Sequence, residues 1–246
     1  MKRNQSGFTL IEIAIVLVII GLLLGGVLKG QELINSAKVK NLATDFRNIP
    51  VFVYGYQDKF KALPGDDINA VSHLGSANCT GTPCVAGNGD GLIGAAAANG
   101  WGSTTAADET QQFWIHTRLA GLAPGPTGGQ SDYRPTNAIG GFIGIQSNGT
   151  GTNAFTSING CSGCGAGGAA VASPGSPMNG TYIICSRGIL GKYVKQLDST
   201  MDDGNTDTGS MRAIPDPGAA TVPAGQSSVA TSAIVDGQAY IVCTGI

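Results

Sequence analysis

MKRNQSGFTLIEIAIVLVIIGLLLGG, residues 1–26, is the stretch whose reading decides the fold. Across residues 8–28 the only charged side chain is Glu12. At 1.5 Å per residue this run makes a helix of about 31 Å, enough to cross the hydrocarbon core of a bilayer. A secretory signal has a shorter apolar core with small residues after it; here the small residue, Gly7, comes before the run. A carboxylate at bilayer depth costs roughly 2.5 kcal/mol or more and usually marks function. Glu12 is therefore the first candidate functional residue. The bland alternative is a polar residue near a helix end that snorkels to the interface. Lys2 and Arg3 precede the span, but Lys29, Lys38, Lys40 and Arg47 follow it, so positive charge does not assign the inside.

Ser6-Gly7-Phe8-Thr9-Leu10-Ile11-Glu12 resembles the class III signal of type IV prepilins and type II secretion pseudopilins, with a short leader of residues 1–7. The resemblance implies cleavage by a prepilin peptidase between Gly7 and Phe8, then N-methylation of Phe8. Glu12 becomes the fifth mature residue, where that family has its assembly glutamate. The new α-amine of Phe8, or a neighbour's, is a partner for Glu12. Breaking a desolvated ion pair costs about 3–5 kcal/mol, so the acid can set the stagger between helices. The partners implied are other copies or other pilins, the peptidase, an assembly platform protein with its ATPase, and an outer-membrane secretin. The implied location is the bacterial inner membrane, spanned once, and then a periplasmic pseudopilus or an extracellular pilus.

The composition excludes other classes. The 246 residues are 42% hydrophobic but only 12% charged, about half the usual charged share. A net charge of −2 with no basic block leaves nucleic acid without an electrostatic footprint. No P-loop, G-x-S-x-G or H-E-x-x-H occurs, and the G-x-G-x-x-G matches at Gly89 and Gly163 follow no convincing strand. The chain reads as a non-enzyme. Six cysteines, Cys79, Cys84, Cys161, Cys164, Cys185 and Cys243, read as disulfides of an oxidising compartment. Close spacing suggests 79–84 and 161–164, leaving 185–243, although six cysteines allow about 15 pairings. A redox role for Cys161-Ser162-Gly163-Cys164 and a zinc site are the weaker alternatives. With a bacterial source implied, the sequons at Asn78, Asn148 and Asn179 are not read as glycosylated.

After the span (residues 8–28) an apolar stripe continues at Leu42, Phe46, Ile49, Val53, Tyr56, Phe60 and Leu63, the spacing of a helix that buries one face. One helix running from residue 8 to about 60 is expected, its stalk part being residues 29–62. Pro50 should kink it, and Leu63-Pro64-Gly65-Asp66-Asp67 should end it. Gly21, Gly25, Gly26 and Gly30 permit close helix packing and weaken the helix by about 1 kcal/mol each.

Residues 63–246 are expected to form the head. An Asp108-Glu109-Thr110-Gln111 capping box precedes a helix ending near Gly121. Strands are expected at 142–146, 181–185, 211–214 and 239–244, with a second helix at 189–201. Asp236-Gly237 carries a two-residue hairpin signal. Residues 147–180 read as a long exposed loop. The fold class is α+β and pilin-like: a long N-terminal helix packed on a small antiparallel sheet.

Asp198, Asp202, Asp203, Asn205 and Asp207 lie within ten residues, with Gly204 among them and Gly209 just after. Hard oxygen ligands at this spacing suit Ca²⁺, and some pseudopilins bind calcium in C-terminal loops. The competing reading is a solvated helix end, where Asp and Asn bond local backbone. Asn88-Gly89-Asp90-Gly91 is a second, weaker candidate. The leading function is a structural filament subunit. The alternative is a minor pilin or adhesin whose head binds a surface, glycan or DNA ligand.

Overall fold

The computed structural model describes residues 10–79, 83–94, 100–129, 131–148, 178–218 and 228–246. Gly7, Phe8, Cys161 and Cys164 lie outside them, as does most of the expected 147–180 loop. Helix α1, Leu10–Phe60, is one unbroken element of 51 residues, about 77 Å long. Its buried side chains begin only at Val39 and recur every three or four positions through Leu42, Phe46, Ile49, Val53 and Tyr56. Pro50 sits inside the helix without ending it, and the buried positions stay in phase on both sides.

The turn after α1 needs glycine. Gly65 has φ +92°, and a Cβ there would lie 2.5 Å from the Glu109 carbonyl oxygen. This contact seats the end of the stalk on α3, Glu109–Leu119. A short helix that the pattern did not suggest, α2 (Ala70–Leu74), lies between them in the chain. Helix α3 is buried on nearly every side, polar residues included. Its amides and imidazole bond loop backbone instead of water. Gln111 Nε2 donates to Ser103 O, Gln112 Nε2 donates to Pro83 O (2.8 Å), and Gln112 Oε1 accepts from Val85 N (2.9 Å). His116 Nδ1 accepts from Gly65 N at 3.1 Å, which leaves Nε2–H to donate to Val85 O at 2.9 Å. Burial pushes its pKa down to about 4, so the ring is neutral. The expected capping box does not form. Asp108 makes no side-chain cap bond and instead accepts from the Ser103 hydroxyl, while Gln111 is taken by Ser103, Asp132 and Tyr133.

Strands β1 (Ile143–Ser147), β2 (Tyr182–Leu190), β3 (Met211–Pro215) and β4 (Ala239–Gly245) form an antiparallel sheet in the order β1-β2-β4-β3. Together with α1 this is the α+β, pilin-like architecture the sequence implied. Tyr182, Ile184, Met211, Ala213, Tyr240 and Val242 face the core shared with α1. Ile183, Cys185, Ile214, Ile241 and Cys243 face the other way, under Trp101 and Met178. The outer face is thus also covered. Gly144 makes room for this cover, since a Cβ there would lie 2.1 Å from the Trp101 carbonyl oxygen.

Two boundaries differ from expectation. The second head helix, α4, is Gly191–Met201, because Ile189 and Leu190 belong to β2. A bulge between Ser186 and Ile189, with Gly188 at φ +76°, brings those two opposite Tyr240 and Ala239. Asp236-Gly237 turns the chain but joins no hairpin. A 3₁₀ turn, Thr231–Ala233, precedes it. Cys185 and Cys243 are paired across β2 and β4 and form a disulfide, as do Cys79 and Cys84.

Candidate functional site: the N-terminal helix and two acidic clusters

The head brings two groups of carboxylates together. In the first, α4 ends at Met201, and the loop 202–210 folds back on the helix end. One carboxylate oxygen from each of Asp198, Asp202 and Asp203 lies within 4.8 Å of the others. Asp198 is fully buried, and neither of its oxygens has a hydrogen-bond partner. Burial pushes its pKa up to about 6, and the charges of Asp202 and Asp203 push the same way. Asp202 Oδ2 accepts from Met211 N at 2.7 Å, tying the loop to the first residue of β3. Asp203 is exposed, and bonds from Asn205 N (2.9 Å) and the Thr208 hydroxyl (2.7 Å) hold its pKa down. Asp207 is outside the group and acts on the Arg212 guanidinium. Of the five residues singled out as ligands, the fold gathers three carboxylates, with Asn205 touching them through its backbone.

The second group is Asp66, Asp90 and Glu109. Only Asp90 belongs to the stretch noticed in the sequence. Asp66 comes from the turn that ends the stalk, and Glu109 from the start of α3. Their oxygens are largely used. Asp66 accepts from the N–H groups of Gly89 (2.6 Å), Asp90 (3.0 Å) and Gly91 (2.8 Å). Glu109 accepts from Asn88 N and Gly94 N. Burial raises both pKa values while these bonds lower them. The arrangement fixes the 87–94 loop against the stalk. The signal that could have found it was the Gly65-Asp66-Asp67 end of α1.

The third site is α1 itself. Residues 10–29 are exposed along their whole length, with Leu10 at 89% and Leu22 at 73%. This is the one helix among the described residues long and apolar enough to cross a membrane. Glu12 stands in its first turn, where a carboxylate is favoured by the helix dipole. No atom lies within 4 Å of a Cβ built on Gly21, Gly25, Gly26 or Gly30, and none of the four has a positive φ. Nothing among the described residues requires glycine there.

Residues 2–28 match the family model of the prokaryotic N-terminal methylation motif. The chain carries the type IV prepilin and pseudopilin signature. The motif takes in Gly7, Phe8 and Glu12, of which Glu12 lies among the described residues. No curated protein and no solved structure matches the chain. The prepilin signature and the exposed apolar helix together fit a precursor anchored in the inner membrane.

Proposed function

We propose that the chain is a structural subunit of a type IV pilus-like or type II secretion pseudopilus filament. It is cut after Gly7 by a prepilin peptidase, methylated on Phe8, and assembled by packing of its N-terminal helices. An assembly platform with its ATPase drives the polymerisation, and a secretin passes the filament or its load.

The observation that carries this reading is the union of the methylation motif at residues 2–28 with a helix that the head leaves bare. A free apolar rod of about 30 Å has two stable settings, lipid and a bundle of like rods. Four glycines without a steric role among the described residues suit close approach of neighbouring helices. The outward face of the upper stalk stays apolar as well, with Leu33 at 63%, Ile34 at 58%, Val51 at 63% and Tyr54 at 59% exposure.

The test is to shear cells and examine the released material by electron microscopy and mass spectrometry. Filaments containing this chain are expected from the wild type, and none containing it from Glu12→Ala. Immunoblotting should show the variant still largely processed to the shorter form. Normal incorporation of Glu12→Ala would defeat the assembly role of this residue. Retention of wild-type chain in the membrane, with nothing in the sheared fraction, would favour a pseudopilus over a pilus.

A further inference from the structure

We infer that the cleft beside Asp45 receives the Lys40 side chain of a second copy of this chain, so that an ion pair links adjacent stalks beyond the spanning segment. The inference rests on the filament reading and names a contact within it.

The cleft lies between α1, α3 and the start of β1. It has a volume of about 130 Å³, and its walls include Asp45, Asn48, Phe52, Trp114, Pro124 and Ile143. Asn48 and Pro124 are exposed, so the cleft opens to solvent there, while Trp114 and Ile143 are buried. Asp45 is half-buried, and no hydrogen-bond donor or cation meets it among the described residues. A desolvated carboxylate without a partner is costly, and a cation relieves that cost. A lysine lays its methylenes on apolar surface while its ammonium reaches an acid. The cleft offers both surfaces together.

Charge complementarity points to the donor. Among the described residues, Lys40 and Arg47 are the basic side chains that meet no carboxylate, carbonyl oxygen or aromatic ring. Both are exposed on α1. At 3.6 residues per turn they stand within about 20° of each other, and Asp45 stands about 140° from Lys40. The exposed residues Asn41, Thr44 and Asn48 lie between these edges. The bare face of the upper stalk therefore has a basic edge and an acidic edge. Edges of opposite sign suit a heterologous contact, in which each copy offers its acid to one neighbour and its base to the other. Such contacts propagate into a filament.

Register selects Lys40 over Arg47. Pairing of Glu12 with the Phe8 amine of the next copy offsets the two chains by four residues, about 6 Å along the axis. An offset between identical copies is the same at every height. Asp45 of one copy then stands level with position 41 of the next, beside its Lys40, while its Arg47 lies about 9 Å higher. One neighbour thus supplies the cation for both acids.

The experiment uses the full-length chain in cells. Sheared material and membranes are treated with a carbodiimide, which joins a lysine amine to a carboxylate in contact with it. A dimer is expected from the wild type, with Lys40 joined to Asp45 in its peptide map, and none with that link from Asp45→Asn. Asp45→Lys and Lys40→Asp should each lower incorporation into assemblies at least about tenfold, because like charges then meet at the contact. The double exchange should return incorporation to within about threefold of the wild type, and Arg47→Ala should stay within about twofold. Lys40 is exposed, so its variant keeps the test valid should Asp45→Lys fold poorly. Wild-type incorporation of both single variants would overturn this contact and leave the filament reading standing. So would wild-type assemblies without the Lys40–Asp45 link, or a double exchange no better than the singles. Cells with neither assemblies nor dimers would overturn both readings.

Discussion

Asp45 shows how a single residue sets a pH dependence. It sits on the stalk beside a cavity of about 130 Å³ that is also lined by Asn48, Phe52, Trp114 and Pro124. Burial against these groups pushes its pKa up to about 6, from about 3.9 in an unfolded chain. The folded form therefore holds a proton that the unfolded form has released between these two values, and stability falls as pH rises from 4 to 6, then levels off. Two pKa units correspond to roughly 2.7 kcal/mol; with the group only half-buried, we expect about 1 kcal/mol. Asp45→Asn should thus raise Tm by about 2–4 °C at pH 8, and by about a third as much at pH 4.5. Equal shifts at both values would show that the carboxyl is not strained. In the sequence Asp45 is simply a charged residue beside the apolar stripe of the stalk. What strains it is Trp114 with Ala123, Pro124, Pro135 and Thr136, brought across from sites with no local pattern linking them to the stalk. Asp198 is the converse. Its neighbours are near in sequence, so the cluster was readable; its complete burial was not, because that depends on the packing of α4 against the sheet.

At the scale of elements, the two described disulfides close loops of very different length. The Cys185–Cys243 separation is 58 residues and that of Cys79–Cys84 is 5. In the loop-entropy account, these constrain the unfolded chain by about 4 and 2 kcal/mol respectively. Replacing Cys185 and Cys243 together by Ser should therefore lower Tm about twice as far as replacing Cys79 and Cys84, measured by calorimetry. The reverse order would mean that local strain or packing outweighs chain entropy. The pairing of Cys185 with Cys243 was readable because each lies in a short apolar run typical of a strand. Strand boundaries were readable less well. β2 runs on to Leu190 because Gly188 bends it back into register, and a glycine in so glycine-rich a chain carries little signal alone. Helix α3 hides its surroundings in another way. Gln111, Gln112 and His116 are buried because loops around residues 65, 83–85, 103–106 and 133 supply them with backbone partners, which no local pattern announces.

For the whole molecule, the division is between a packed head and a bare rod. Among the described residues up to Leu28 not one is buried, so their removal deletes no tertiary contact. A chain lacking residues 1–28 should stay monomeric without detergent and melt within about 2 °C of the full chain in micelles. A much lower Tm would show that the rod supports the head. The cut must spare Asn35, whose Oδ1 accepts from the Tyr193 hydroxyl of α4 at 2.9 Å. This division was the most legible feature of the sequence, because twenty apolar residues followed by an amphipathic stripe permit few other readings. The glycines within the rod have a mechanical consequence. Under axial tension a helix yields where its hydrogen-bonded turns are least stable, and the four glycines between positions 21 and 30 lower that stability by about 4 kcal/mol relative to alanine. Pulled out from 1.5 to about 3.3 Å per residue, these ten residues lengthen by roughly 18 Å. The rod thus contains its own extensible link, below a head whose fold need not yield.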